Sequence, residues 1–156
     1  MSQPLQPAIQ RPVRVLALLC LTTLMLGCGY VPFSGGELNG TLTPAPKQWG
    51  STADVSIIEL ETNPAEPYSV KLWIVDMGPN LYVHAGANRA AWVVNIEQDP
   101  NVRLLVGELL YELQAERVVN EAEFAHFSDR YEDKYGNRPR NENVAEAYLF
   151  RLRPRS

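Results

Sequence analysis

Residues 68–76 (YSVKLWIVD) alternate strictly at first, with Tyr68, Val70, Leu72 and Ile74 on one face and Ser69, Lys71 and Trp73 on the other. Only an extended strand sorts such a set onto two faces, since a helix repeats every ~3.6 residues. A strand with one apolar face must find partners, and the flanking sequence supplies them. Residues 54–61 (DVSIIELE) roughly alternate, and Asn63-Pro64-Ala65-Glu66-Pro67 turns the chain. Met77-Gly78-Pro79-Asn80 then joins 68–76 to a further strand at 81–85, a hairpin arrangement. From Arg89 to Gln98 the period becomes helical, with Asn88 as the expected N-cap and Asp99-Pro100 as the stop. Strands are expected at 102–106 and 109–119. Asn120 should cap a helix over 121–135 that buries Ala122, Phe124, Phe127 and Tyr131 and stops at Gly136. A last strand is expected at 144–152. No internal repeat is visible, and the class is α+β, mostly β.

Before this domain the chain has another character. Residues 1–14 are polar and end in Arg-Pro-Val-Arg, and no acidic residue precedes Glu37. Val15–Leu26 is a largely apolar stretch of 12, where a bilayer-spanning helix needs about 20 residues. Its length suits the h-region of a signal peptide. Leu24-Met25-Leu26-Gly27-Cys28 follows and resembles the bacterial lipoprotein box, in which a small residue precedes a cysteine that is lipidated and becomes the new N-terminus. Gly27 and Cys28 match that box, while Met25 and Leu26 depart from its commonest form. The resemblance implies a signal peptide over 1–27 and a lipid anchor on Cys28 in a bacterial cell envelope, with the domain outside the cytoplasm. The competing reading is an uncleaved signal anchor with an incidental cysteine. Cys20 would leave with the signal, so the exported domain would hold no disulfide.

Residues 28–53 carry five glycines and three prolines after Cys28 without sustained periodicity, which reads as a flexible tether. Leu38, Leu42 and Trp49 are costly to leave in water, however, and 40–43 can form an extended edge, so the second half has packing on the domain as its alternative. The folded part is then expected over 54–156. Loss of Arg11 and Arg14 with the signal would leave 12 basic and 18 acidic residues, a balance unlike that of a nucleic-acid binder.

The order strand, strand, strand, helix, strand, strand, helix, strand resembles the split β-barrel of flavin-binding oxidoreductases. That group includes pyridoxamine-phosphate-oxidase-like proteins and deazaflavin-dependent nitroreductases. Carrying residues are Val70-Lys71-Leu72-Trp73-Ile74-Val75, Leu81-Tyr82-Val83-His84-Ala85-Gly86, Ala91-Trp92-Val93-Val94-Asn95-Ile96 and Asp99-Pro100-Asn101-Val102-Arg103-Leu104. Asp99 stands where those families show asparagine. Tyr131-Glu132-Asp133-Lys134-Tyr135-Gly136 also matches an aromatic-x-x-Lys-Tyr-Gly segment of a small family in the group. The resemblance implies a split barrel of about six antiparallel strands with two helices. It further implies FMN or a deazaflavin in the crevice of a homodimer, with Lys71, Trp73, His84, Asn88, Arg89 and Trp92 as candidate cofactor-binding residues.

Each candidate has a plainer alternative. Arg89 can contact an anion at a helix start or be an exposed arginine; Ala87, Ala90 and Ala91 stand where hydroxyl or lysine donors are expected. His84 can line a site or be a wall histidine. Lys71 and Trp73 share a strand face suited to a ligand crevice or dimer contact, or to an ordinary outward pair. Trp92 can stack on a ring or fill the core. Two histidines, His84 and His126, are too few and too far apart for a metal site. Phosphate-loop, dinucleotide and serine-elbow motifs are missing, but a bound flavin carries its own chemistry. The expectations are therefore a membrane-tethered flavin- or deazaflavin-binding oxidoreductase, or a binding or structural lipoprotein that has lost its cofactor. In either case Cys28→Ser should leave the precursor uncleaved and unlabelled by radioactive palmitate; labelling unchanged from wild type would remove the lipoprotein reading.

Overall fold

A computed structural model describes residues 35–50 and 54–155. Residues 1–34, on which the expected signal segment 1–27 and the expected lipid anchor Cys28 fall, lie outside them. Among the described residues no helix is long and apolar enough to cross a membrane. The elements in chain order are β1 (Thr41–Leu42), β2 (Ile57–Thr62), β3 (Tyr68–Met77), β4 (Asn80–His84), α1 (Ala91–Gln98), β5 (Asn101–Val106), β6 (Leu109–Arg117), α2 (Glu121–Tyr135) and β7 (Leu149–Pro154). Strands run β1-β6-β5-β2-β3-β4-β7, and β7 also pairs with β6. That last ladder closes six antiparallel strands into a barrel, with β1 added in parallel beside the start of β6. The split barrel expected from the pattern is the fold observed.

Alternation sorts each barrel strand as the period of two requires. Tyr68, Val70, Leu72 and Ile74 of β3 face the interior with Leu60, Leu81, Val83, Leu104, Leu113 and Leu152. The β3–β4 hairpin turns at Gly78, whose φ of 61° is left-handed and suits glycine. Outside the wall, α2 lays Phe124, Phe127 and Tyr131 over Val75, Tyr82 and Leu149 in a second core. Asn120 accepts the Glu123 N–H at 2.9 Å, and Gly136 ends the helix at φ 76°, as the sequence indicates. Ala122, expected on the buried side, is exposed.

The aromatic-x-x-Lys-Tyr-Gly segment has a structural task. Pairing of β2 with β3 ends at Ile57 and Trp73, so the next backbone groups of β3 on that side need other partners. The Tyr135 hydroxyl lies 3.1 Å from the Ile74 N–H that donates to it, and 2.8 Å and 2.9 Å from the Ile74 and Ser56 carbonyls. Lys134 Nζ donates to the Val55 carbonyl at 2.8 Å. Asp99 accepts the Asn101 N–H at 2.9 Å, a role that asparagine or aspartate fills equally well.

Three expectations change. Asn88 does not cap α1: its N–H turns back to the Ala85 carbonyl beside left-handed Gly86, so helical backbone starts only after Ala90, which has no side-chain acceptor. The closing strand begins at Leu149 instead of 144, because 143–147 form a turn held by Asn143. Most consequentially, 35–50 is part of the domain and not a tether. Leu38 is buried, its N–H donating at 2.6 Å to Glu61, a carboxylate only 3% exposed. Arg103 grips the same carboxylate with two 2.7 Å bonds, the pairing that makes burial of such a charge tolerable. A Cβ on Gly40 would come within 2.7 Å of Leu105, so this strap lies flush against β5 and β6.

Trp49 then enters the barrel. It is 1% exposed, meets Tyr111 edge-on with centroids 5.0 Å apart, and donates its indole N–H to the Pro79 carbonyl at 3.1 Å. Trp49→Ala should therefore cost about 3–5 kcal/mol of stability, the range for emptying a buried aromatic site. Urea unfolding of the soluble domain checks this, and a change of a few tenths of a kcal/mol would return residue 49 to a tether.

Candidate functional site

The outward row of β3 reads Ser69, Lys71, Trp73, Val75. Ser69 is covered by Gly35, which exchanges two backbone hydrogen bonds with it at 2.8 and 2.9 Å. Val75 is covered by α2. Lys71 and Trp73 between them stay open, so the strap and α2 frame a window on the barrel wall. Trp73 is 50% exposed and stacks on Tyr135 at 4.9 Å with planes 17° apart. Across the ladder stand Ile57, also exposed, opposite Trp73, and Glu59 opposite Lys71. Among the described residues no carboxylate lies within ion-pair distance of Lys71. The window thus offers an immobilised indole, an isoleucine and a cation, a set suited to a planar ligand bearing negative charge or to an apolar partner surface.

The other four candidates lie elsewhere. Trp92 is 4% exposed and packs edge-on against Phe150 at 5.7 Å inside the barrel, on the far side of the wall from Trp73. Asn88 and Arg89 are exposed on the loop before α1. The Arg89 guanidinium is held by Glu97 at 2.6 Å, which also raises its pKa. An anion at this helix start would therefore compete with a carboxylate already in place. His84 faces out of β4 beneath α2, with Phe124, Phe127 and Tyr131 around it at 6.2, 5.6 and 6.5 Å. Within one chain, then, the structure brings together Lys71 and Trp73, and separately Asn88 and Arg89, but not all six.

Two neighbours of the Arg89 loop were not visible in the sequence. Arg117 lies over the Tyr148 ring at 4.2 Å and donates to the Ala147 carbonyl at 2.7 Å. Among the described residues it has no carboxylate partner, and its Nε is buried without an acceptor. Tyr148 is tied to the loop through the backbone of Ala85 and Gly86, at 2.9 and 2.7 Å. Arg117 is thus a better-placed cation for an anionic group than Arg89. Its only sequence signal was an arginine ending an otherwise alternating strand, which says nothing about a partner.

Charge on the remaining outer wall is spent internally. Arg151 and Arg153 each bind Glu116 at 3.1 Å, Arg151 also binds Glu123 at 3.1 Å, and Arg155 binds Glu112 at 3.4 Å. Tyr82 donates to Glu123 at 2.8 Å; burial, then that carboxylate, pushes its pKa up to about 12. No group of three or more metal-ligating side chains occurs among the described residues.

No protein-family model and no curated protein matches the chain. Solved structures do. A Listeria innocua protein assigned as a pyridoxamine 5'-phosphate oxidase aligns with a TM-score of 0.52 and 14% identity, over 65% of this chain and 85% of that one. A Bacteroides thetaiotaomicron protein assigned to 5-nitroimidazole antibiotic resistance aligns at 0.53 and 14%, over 80% and 89%. A structure described as a domain-swapped dimer aligns at 0.52 and 16%, over 64% and 81%. The chain is similar to these proteins in fold: it shares their split barrel.

His84 makes the site region sensitive to acid. Burial lowers its pKa from 6.5 to about 4, so the folded protein holds a neutral imidazole. Between those values the unfolded chain binds the proton and the folded one does not, so stability falls as pH drops from about 6.5 to 4, by on the order of 3 kcal/mol in all. His84→Phe should flatten that part of the profile. Urea midpoints measured from pH 7 to 4 check it, and an equally steep decline in the variant would assign the acid sensitivity to other groups.

Proposed function

We propose that this chain is a lipid-anchored protein of the bacterial envelope whose split barrel binds a flavin or deazaflavin between two copies and serves a redox reaction of the nitroreductase kind. The observation that carries this reading is the Lys71–Trp73 window, on a fold shared with proteins assigned to pyridoxamine 5'-phosphate oxidation and nitroimidazole resistance. The residues fit the ring of such a cofactor better than its phosphate. Trp73, backed by Tyr135, is a preformed stacking surface beside Lys71, which meets no carboxylate among the described residues. For the phosphate, Arg117 is the available cation, since Arg89 is engaged by Glu97. The bound cofactor would supply the electron transfer; the protein's part is to stack, to balance charge and to exclude water. Dimerisation is supported by the exposed Ile57 and Trp73 standing opposite each other on adjacent strands, and by the domain-swapped dimer among the similar structures. The anchor rests on Gly27-Cys28 behind its apolar run.

A second reading is favoured by one observation. The loop before α1 has alanine at 87, 90 and 91 and an arginine already ion-paired, so the phosphate donors of a working site are thinned out. On that reading the barrel is a non-catalytic binding or structural module.

Titration of the soluble form (29–156) with FMN and with a deazaflavin, followed by fluorescence, separates the two. Saturable binding, weakened in Trp73→Ala by about 0.5–1.5 kcal/mol as expected for a lost ring contact, supports the first. No binding of either cofactor would leave the second.

A further inference from the structure

We infer that the barrel is held with its α1 end, where the β2–β3 turn (63–67) lies, against the membrane surface, and with the Gly78-Pro79 and Gly107-Glu108 turns pointing away; this rests on the lipid anchor at Cys28 proposed above. The geometry starts from the strap. Gly35 is fixed to Ser69 by two backbone hydrogen bonds, and a Cβ at Gly35 would collide with Ser69 Oγ. Three residues on, Leu38 is fixed to the buried Glu61–Arg103 pair. Gly35, the first described residue, is therefore already fixed to the barrel beside the β2–β3 turn.

From Cys28 to Gly35 there are seven Cα–Cα steps. Whatever their conformation, they span at most about 25 Å. A domain of about 120 residues is on the order of 35 Å across. A body that wide on a leash that short cannot place its attachment point on the side facing away from the lipid. The attachment side is defined by neighbours: Asn95 of α1 bonds Thr62 at the end of β2 at 3.0 Å, and Asp99-Pro100 lead from α1 into β5 there. The loop carrying Arg89 runs into the same helix. The partner of this end is the head-group layer of a bilayer, and any ligand reaching the α1 end arrives along the membrane surface.

Labels at two exposed turns test the orientation. Ala65 lies in the β2–β3 turn and Glu108 in the β5–β6 turn, about 20 Å apart along the strand direction. In the mature lipidated protein Cys28 is the only native sulfur of cysteine and is occupied, so Ala65→Cys or Glu108→Cys gives one reactive thiol. With a donor dye on that thiol and acceptor-labelled head groups in phosphatidylcholine–phosphatidylglycerol vesicles, transfer should be higher from residue 65 than from 108. Insertion of about 20 Gly/Ser residues before Gly35 should abolish the difference, because the leash can then reach well beyond the domain's width. Equal or reversed transfer from protein that floats with the vesicles would overturn the orientation while leaving the anchor intact. Wild-type protein that floats no better than Cys28→Ser would instead overturn the anchor, and the orientation with it.

Discussion

Closure of the sheet through β7 is the constraint on which the rest depends. By pairing with β4 on one side and β6 on the other, β7 removes both edges and forces every inward side chain into one enclosed volume. Such a volume must be filled at its ends as well as along its walls. Helix α1 fills one end with Trp92, Val93 and Ile96. Trp49 fills the other, though it is contributed by a segment whose one strand is the two-residue β1. The two plugs explain why a short helix with an alanine cap persists and why a Gly/Pro-rich strap is ordered.

The outer wall follows from the same closure. Each strand that sends leucine or valine inward sends its alternate residues outward, and those need cover or charge pairing. Helix α2 covers the β3–β4–β7 side, the strap covers β2 and β5, and Arg151 and Arg153 of β7, with Arg155 just beyond it, meet Glu116 and Glu112 of β6. On the β2–β3 face what remains open is narrow: Lys71 and Trp73 with Ile57, beside a half-buried Glu59, while Leu42 and Leu109 are exposed where β1 meets β6. A site on this protein is thus a residue of incomplete cover, located by where two unrelated segments stop.

Strand and helix identities were legible because they depend on local periodicity. The alternation at 68–74 survives unchanged as the interior row of β3, and Asn120 and Gly136 delimit α2 as their side-chain chemistry requires. The closing strand and the α1 cap were less legible. At both places a turn residue, Asn143 or Gly86, competes with a run that otherwise continues the pattern. Of the candidate site, Lys71 and Trp73 were legible as a pair on one face, since spacing by two is local. That Trp92 turns inward, that His84 lies under three rings and that Arg117 has no acid partner among the described residues were not legible, because each depends on segments distant in sequence.

The sequence by itself therefore determined the order of elements, the faces of the strands and the ends of α2, all of which follow from side chains within a few positions of one another. Tertiary structure decided the register that closes the barrel, the docking of 35–50 and the size of the open window. These rest on contacts such as Trp49 with Tyr111, Leu38 with Glu61 and Tyr135 with Ile74. Such pairs are brought together only when the chain has folded, because the free energy of burying them depends on how all the strands share one interior.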